Sequence, residues 1–260
     1  MTVHHLNCGL LHAPPNPPAA CHCLLLEGDG RLALVDTGIG LRDVARPDER
    51  VGRAAIDAAG FQFHDRLTAA RQVERLGFRA ADVTDIVLTH ADPDHAGGLA
   101  DFPAATVHVS AEELAQLRAS HGRYSPAQFA HGPRWVAHPA SADRWFGLEA
   151  RPLALACGVE AVLVPLFGHT RGHCGVAVRD GGRWLLHVGD AYYLRVELAT
   201  DDHPVSALAT LRADDDAARR DSLAALRRLA RDHAAEVELF GYHDFTEFPP
   251  GSLPALDPTN

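Results

Sequence analysis

The chain lacks the features that mark secreted and membrane-spanning proteins. It has only five cysteines, an odd number that does not form a disulfide framework, and we expect them to be small buried hydrophobic residues. The first residues lack the basic start and apolar run of a secretory signal. The apolar runs are far too short to span a bilayer. These absences favour a cytoplasmic protein.

The chain also has fewer basic than acidic residues, 24 against 34, which gives its 260 residues a formal net charge of -10. An acidic surface repels phosphate backbones and anionic lipids, so neither nucleic acid nor a membrane is expected as a partner. A small-molecule substrate is compatible with this charge, and so is a homodimer. No repeat or low-complexity linker divides the chain, and we predict one domain over residues 1–260.

The hydrophobic pattern predicts strands at both ends of the chain and helices between them. Residues 21–38 are typical of a β-hairpin around a Gly-Asp-Gly turn. Apolar residues at helical spacing predict a helix over residues 67–78 and one clear helix after Asp190. Ser110 and Glu113 have the spacing of a capping box. We predict an α/β fold with mixed sheets, one from each half of the chain.

Two regions have less regular patterns. Residues 121–150 are predicted to be a long excursion over the surface, and the Pro-rich end of the chain is predicted to be extended. The excursion is interpreted either as a packed surface loop or as the wall of a substrate pocket, and its candidate residues are His131, Trp135, His138 and Trp145.

Histidine, in contrast, is abundant, with 17 residues, and several of these follow predicted strands directly. Strand ends are where a rigid sheet aims loop-borne ligands at one point. Imidazole and carboxylate together suit zinc, manganese or iron, and the absence of cysteine from the set argues against a structural zinc site. The residues at strand ends are Asp36, His90, Asp92, Asp94, His95, His169, Asp190 and His243.

The size of this set favours two metal ions over one. One tetrahedral zinc cannot use all of these ligands, whereas two metals about 3.5–4 Å apart are a known hydrolytic arrangement. One carboxylate can bridge such a pair. Asp190 arrives alone after a glycine and is the candidate for that role.

Five motifs resemble those of the metallo-β-lactamase superfamily. They are "VDTG", "LTHADPDHAGGL", "PLFGHTRGH", "HVGDAYY" and "GYHD", and the resemblance extends over about residues 22–245. It implies an αβ/βα four-layer sandwich, in which two mixed β-sheets are flanked by helices and the metals lie at one edge of both sheets.

The resemblance also implies a ligand set. His90, Asp92 and His169 would hold a first metal, and Asp94, His95 and His243 would hold a second, with Asp190 between them. Asp36 would orient ligands from behind the site. The chain departs from the family's H-x-H-x-D-H pattern at Asp92, where a carboxylate replaces the second imidazole.

Three hypotheses account for Asp92. The first is an occupied site retuned towards manganese or iron, because a carboxylate is a harder ligand than an imidazole; flavodiiron proteins, with a glutamate at this position, are similar. The second is loss of the first metal, which would leave a mononuclear enzyme. The third is decay into a non-catalytic protein, although the six other ligands are all present.

Within the superfamily, the chain most resembles the N-acyl homoserine lactone lactonases, which act in quorum quenching. The resemblance implies a hydrolase that opens a lactone or cleaves a small ester or amide through a metal-bridging hydroxide. Tyr193 would help to stabilise the oxyanion, and Asp94 would pass a proton to the leaving alkoxide. Two divalent ions are expected, zinc first, with Mn²⁺ or Fe²⁺ as alternatives at the Asp92 site.

Two other classes of function stay open at this point. The carboxylate at Asp92 also resembles iron-dependent redox members of dioxygenase type, and a non-catalytic binding protein with a vestigial site is the third alternative. His173 and Tyr192 are expected to pack or hydrogen-bond beside the site. A separate metal site among His4, His5, His12 and His22 is not expected.

Overall fold

The computed structural model describes residues 1–119 and 122–252. The residues from 253 to the end, which include most of the Pro-rich segment predicted to be extended, lie outside the described residues. Within the described part, the strands in chain order are β1 (Thr2–Leu11), β2 (Ala19–Gly28), β3 (Arg31–Val35), β4 (Phe61–Gln62), β5 (Val83–Val87), β6 (Thr106–Ser110), β7 (Arg134–His138), β8 (Arg144–Trp145), β9 (Leu148–Glu149), β10 (Arg151–Leu153), β11 (Ala161–Pro165), β12 (Cys174–Asp180), β13 (Arg183–His187) and β14 (Val237–Phe240).

The helices are mostly short, and several 3₁₀ turns connect them. In the described part of the chain, the α-helices are α1 (Leu41–Ala45), α2 (Pro47–Arg50), α3 (Arg53–Ala59), α4 (Ala69–Arg75), α5 (Pro93–Ala96), α6 (Ala111–Arg118), α7 (Pro126–Phe129), α8 (Pro204–Arg212) and α9 (Asp216–Asp232).

Two mixed sheets dominate the described residues. The first has seven strands in the order β4-β1-β2-β3-β5-β6-β7, and the second has five in the order β10-β11-β12-β13-β14. Strands β3, β5, β6 and β7 are parallel to one another, whereas β1, β2 and β3 form an antiparallel meander. In the second sheet β13 and β14 are the one pair of neighbouring strands that is parallel, and the other neighbouring pairs are antiparallel.

Alternating side chains of the first sheet explain the layered packing. On β2, Cys23 and Leu25 face a core covered by α4 and the neighbouring helices, while Leu24 and Leu26 face the second sheet. Successive side chains of a strand point to opposite faces, so a strand that is buried on both faces is apolar without interruption. The run "CLLL" therefore indicates a strand between two apolar layers, and the four layers confirm the predicted αβ/βα sandwich.

The long helix α9 closes the other side of the second sheet. Leu223, Leu226 and Leu229 lie at helical spacing and are buried against that sheet. Asp215 caps the helix, because its side chain accepts a hydrogen bond from the backbone N–H of Ala218. The amphipathic pattern in the sequence thus predicts both the helix and its buried face.

Strand direction brings the candidate residues to one edge. Strands β3 and β5 are parallel, and β11, β13 and β14 also run in a common direction. The two sheets are joined at this edge by hydrogen bonds from Cys174 N to Thr89 O (3.0 Å) and from Ala20 N to His243 O (3.0 Å). Side chains that follow different strands are therefore held in a fixed mutual position.

Several sequence predictions of local structure were wrong. Residues 134–138 are not part of a surface excursion: they form β7, which pairs with β6 at the edge of the first sheet. Trp145 is buried, with its ring centroid 5.7 Å from that of Trp184. The sequence pattern also did not reveal strand β1 or a second helix after Asp190, α8. These elements were missed because their stability comes from tertiary packing more than from local propensity.

The five cysteines are buried and free, as the sequence predicts. No helix of the described residues combines the length and the apolar character that crossing a membrane requires.

The packing of α9 gives a first prediction. Leu226 is fully buried, whereas Leu211 on α8 is 80% exposed. We expect Leu226→Ala to lower the free energy of unfolding by about 2–5 kcal/mol, because it leaves a cavity behind α9. The matched control Leu211→Ala is expected to change it by less than about 0.5 kcal/mol. Urea unfolding measures both, and equal effects would contradict the packing described for α9.

Candidate metal centre

The structure brings together all seven side chains that the sequence singles out as metal ligands. The first cluster consists of His90, Asp92 and His169, whose ligand atoms lie near one another and are buried. His90 and Asp92 follow β5, and His169 follows β11. Asp92 Oδ2 is 3.4 Å from His90 Nε2 and 3.2 Å from His169 Nε2.

The second cluster consists of Asp94, His95 and His243, which are also buried. Asp94 and His95 lie on α5, a single helical turn that starts at Pro93, and His243 follows β14. Asp94 Oδ2 is 3.7 Å from His95 Nε2 and 3.8 Å from His243 Nε2.

Asp190 lies between the two clusters. Its Oδ2 is 3.3 Å from His169 Nε2 and 3.4 Å from His243 Nε2, while its Oδ1 is 3.2 Å from His95 Nε2. One carboxylate therefore faces both clusters, which is the placement that the sequence predicts for a bridging residue.

The second cluster fits a divalent cation. His95 Nε2 and Asp190 Oδ1 are buried and have no hydrogen-bond partner, and such atoms are costly unless something else satisfies them. Two ligand atoms about 2.0 Å from a tetrahedral zinc are about 3.3 Å apart, close to the spacings at Asp190. The other ring nitrogen of His243 is 2.8 Å from Ala20 O, so Nδ1 carries the proton and Nε2 presents its lone pair to the site.

Burial and charge agree with this assignment. Burial alone would lower the pKa of His95 and of His243, yet the carboxylates of Asp190 and Asp94 raise the pKa of both imidazoles. The cluster thus attracts positive charge strongly, and a metal ion is the cation that its mixed nitrogen and oxygen ligands suit.

The first cluster has the expected ligand atoms, but it also contains an arginine. Arg123 lies in the loop after α6, and its guanidinium makes two contacts of 2.6 Å with Asp92, Nε with Oδ1 and Nη2 with Oδ2. Nη2 is also 2.7 Å from His169 Nε2. Burial opposes the charge of Asp92, but the Arg123 guanidinium holds the pKa of this carboxyl well below its ordinary range.

Asp36 supports the centre from behind, as the resemblance implies. Its Oδ2 is 2.8 Å from His95 Nδ1 and accepts a hydrogen bond from Thr89 Oγ1, and its Oδ1 accepts one from Thr89 N (2.8 Å). The backbone of Asp36 has a φ of 55°, a left-handed conformation that is unfavourable for a residue with a side chain. This conformation directs the carboxylate at the end of β3 towards the loop after β5.

His173 supports Asp190. Its Nδ1 donates to Leu166 O (2.9 Å), and its Nε2 accepts a hydrogen bond from the backbone N–H of Asp190 (2.9 Å). Gly189 is required beside it: the residue has a φ of 55°, and a Cβ at this position would lie 2.5 Å from His173 Nε2. The glycine before Asp190 thus permits the close approach that positions the carboxylate.

Glu113 is a buried carboxylate whose position in the sequence indicates only a capping box with Ser110. Ser110 does cap α6, but the Glu113 side chain turns away from it and accepts hydrogen bonds from Ala91 N (2.8 Å), Tyr124 Oη (2.8 Å) and Thr170 Oγ1 (2.6 Å). Burial raises the pKa of Glu113 to about 7, although these donors oppose the shift. One side chain thereby holds the loops that carry His90, Arg123 and His169.

A cavity opens directly onto the centre. Its polar end includes Asp92, Asp94, Arg123, His169, Asp190, Tyr193, Arg212 and His243. Its other lining residues are mostly apolar and come from the end of β1 and the segment after it, from α3, from β4 and from α8; they include Leu11, Pro17, Ala55, Phe61, Val205 and Leu208. Tyr193 Oη lies 3.4 Å from His169 Nδ1.

The remaining candidate residues lie away from the centre. Among the described residues, His131, Trp135, His138 and Trp145 do not line this cavity, so the interpretation of these residues as a pocket wall was wrong. Tyr192 is fully buried, and its hydroxyl donates to Glu247 (2.8 Å). No metal-ligating group of described residues includes His4, His5, His12 or His22.

The contacts of Asp36 give a prediction about metal affinity. In Asp36→Asn an amide N–H would face the donors Thr89 and His95, so His95 would be held less firmly. We expect metal affinity to fall by about 10–100-fold, measured by competition with a chromophoric chelator. Asp232→Asn, an exposed substitution at the end of α9, is the matched control. Unchanged affinity in a folded Asp36→Asn variant would contradict the supporting role.

Comparison with known proteins identifies the family. Residues 16–237 match the model of the metallo-β-lactamase superfamily. Two proteins, from Mycobacterium tuberculosis and Mycobacterium bovis and both named "Probable metallo-hydrolase", are 45% identical over 251 residues, 93% of this chain and 76% of theirs. A solved N-acyl homoserine lactone hydrolase, with the product N-hexanoyl-L-homoserine at its catalytic metal centre, shares the fold with a TM-score of 0.71 and 18% identity, over 94% of both chains. The chain belongs to the metallo-β-lactamase superfamily.

Proposed function

We propose that the protein is a metal-dependent hydrolase that opens a lactone or cleaves a small ester or amide with an apolar substituent. One observation carries the proposal: five of the seven candidate ligands line a cavity that is otherwise largely apolar, and one of them, Asp190, has a buried carboxylate oxygen without a hydrogen-bond partner. Catalytic metal sites differ from structural ones in that they keep an open side for water and substrate.

The bound metal would supply a Lewis acid and would lower the pKa of water at the site, which is the chemistry that hydrolysis at neutral pH requires. Zinc is the proposed ion, because the second cluster and Asp190 together offer two imidazoles and two carboxylates, a ligand set that suits zinc. The ligand residues would hold this ion at the strand ends, where they are buried and line the cavity.

Tyr193 and Asp94 are the proposed catalytic residues. Burial and the nearby Asp190 carboxylate raise the pKa of Tyr193 well above its ordinary value, so its hydroxyl stays protonated and can donate to an oxyanion. Asp94 lines the cavity, and its carboxylate can take up the proton that the attacking water loses and pass it to the leaving oxygen. The Asp94 backbone is fixed by Tyr242, whose hydroxyl donates to Asp94 O (2.6 Å).

The apolar wall supports an acyl or alkyl substituent on the substrate. The cavity that Tyr193 lines is also lined by Val205 and Leu208 on α8 and by Leu11 and Phe61. Burial of apolar surface contributes about 25 cal/mol per Å², so each added methylene group should improve binding until the wall is covered. The N-hexanoyl product in the related fold has a substituent of this kind.

Arg123 weakens the case for the redox alternative. That hypothesis depends on Asp92 acting as a hard ligand that selects iron. In the structure, both Asp92 oxygens receive hydrogen bonds from Arg123, so the carboxylate has a function that does not depend on iron.

Metal removal and a substrate series test the function. The purified protein would be stripped with a chelator, reloaded with zinc or manganese, and assayed on lactones and esters of increasing acyl length. We expect loss of turnover on stripping, recovery on reloading, and a KM that falls as the acyl chain grows. Absence of turnover across the series, with metal bound, would overturn the proposal.

The adjacent tyrosines offer a matched pair of variants. Tyr193→Phe removes the hydroxyl at the cavity, and we expect kcat/KM to fall about 10²-fold because one oxyanion donor is lost. Tyr192→Phe removes a hydroxyl that contacts Glu247 outside the cavity, and we expect kcat/KM to stay near its original value. Equal losses in the two variants would contradict the role of Tyr193.

A further inference from the structure

We propose that the Arg123 guanidinium takes the place of the first metal ion, so that each chain binds one divalent ion, at the second cluster. The inference rests on the proposed function in one respect, namely that the centre holds a catalytic metal. It concerns the one position where the sequence departs from the family pattern, Asp92, and it links that departure to a residue 31 positions further along the chain.

The geometry at Asp92 is that of a complete ion pair. The guanidinium and the carboxylate make two contacts of 2.6 Å each, Nε with Oδ1 and Nη2 with Oδ2. This side-by-side arrangement is the strongest that arginine forms with a carboxylate. Both side chains are nearly buried, with 12% and 6% of their surface exposed. A buried carboxylate requires a compensating cation, and Arg123 supplies one.

The contact with His169 decides between the guanidinium and a metal. A neutral imidazole has one nitrogen that carries a proton and one with a single lone pair in the ring plane. His169 Nε2 lies 2.7 Å from Arg123 Nη2, which can only donate, so this lone pair accepts the hydrogen bond. The same lone pair would have to bind the first metal. The two cations therefore compete for His169 as well as for Asp92.

In the second cluster, by contrast, ligand atoms that face the site are not engaged by an arginine. His95 Nε2 and Asp190 Oδ1 have no hydrogen-bond partner, and the Nδ1 atoms of His95 and His243 are engaged by Asp36 and by Ala20 O. His90 Nε2 is also without a partner, and it groups with His95 and Asp190 as well as with Asp92. Two of the three unsatisfied atoms thus belong to Asp190 and the second cluster, and the third, on His90, can face the same ion as His95 and Asp190.

Contacts outside the ion pair also hold Arg123 in place. Its Nη1 donates to Arg212 O (2.8 Å), at the end of α8, and lies 3.3 Å from Asp214 Oδ1. The next residue, Tyr124, donates to Glu113, which also binds the loop of His90. The sequence contains no lysine, so arginine is its only side chain with a permanent positive charge. These contacts fix the guanidinium in one position beside Asp92 and His169.

Metal stoichiometry tests the inference. Wild-type protein, Arg123→Ala and the double variant Arg123→Ala/Asp92→His would be saturated with zinc, freed of excess by gel filtration, and analysed for metal per chain. We expect one ion in the wild type and two in both variants, since His169 and residue 92 are then released. Arg118→Ala, an exposed arginine at the end of α6, is the matched control and should bind one. Two ions in the wild type would overturn the inference, as would one in a folded double variant.

Electron paramagnetic resonance on wild-type protein provides a test that does not depend on any variant folding. Two Mn²⁺ ions about 3.5–4 Å apart, the usual separation in such centres, are magnetically coupled, whereas one ion per chain is not. We expect the uncoupled signal from manganese-loaded wild type and a coupled signal from Arg123→Ala/Asp92→His. A coupled signal from the wild type would refute the substitution of Arg123 for a metal.

Assaying hydrolysis on the same samples separates this inference from the proposed function. Turnover by protein with one ion per chain supports both. A wild-type protein with one ion that hydrolyses no member of the substrate series overturns the function and supports the inference. A wild-type protein with two ions that hydrolyses a substrate overturns the inference and supports the function.

Discussion

The Asp36 carboxylate is the contact on which the organisation of the centre depends. It belongs to the end of β3, yet it accepts hydrogen bonds from both the backbone and the hydroxyl of Thr89, after β5, and it binds His95 on α5. One buried side chain therefore holds the end of β3, the loop after β5 and helix α5 in a fixed position relative to one another. The left-handed backbone at Asp36 is the strain that this arrangement requires, and the surrounding parallel strands are rigid enough to maintain it.

A second constraint follows from charge. Replacing an imidazole by the Asp92 carboxylate adds a negative charge to a buried centre that already contains Asp94 and Asp190. In isolation this change would be unfavourable, because a buried charge without a partner is costly. The Arg123 ion pair offsets it. The departure from the family pattern is therefore accompanied by a compensating residue, which is difficult to reconcile with simple decay of the site.

The sequence predicted which side chains meet at the centre, because each of them follows a strand directly or within a short loop and strand ends are visible in the hydrophobic pattern. It predicted the hairpin of β2 and β3 and the helix α9 for the same reason. It did not predict Arg123, because nothing in "GRYSP" marks that loop as part of the site; a carboxylate at Asp92 in need of a cation was the only available signal. Glu113 was assigned to a helix cap because its spacing from Ser110 fits that role equally well, and only the tertiary structure brings Ala91, Tyr124 and Thr170 to it.

The cavity has a further consequence for how such a protein can change. The ligand residues follow β5, β11, β13 and β14, whereas the apolar lining comes from the end of β1 and the segment after it, from α3, from β4 and from α8. Substitutions at Leu11, Ala55 or Leu208 alter the space available to a substrate without touching a strand that carries a ligand. Selectivity and chemistry are thus encoded in separate stretches of the chain, and one can diverge while the other is preserved.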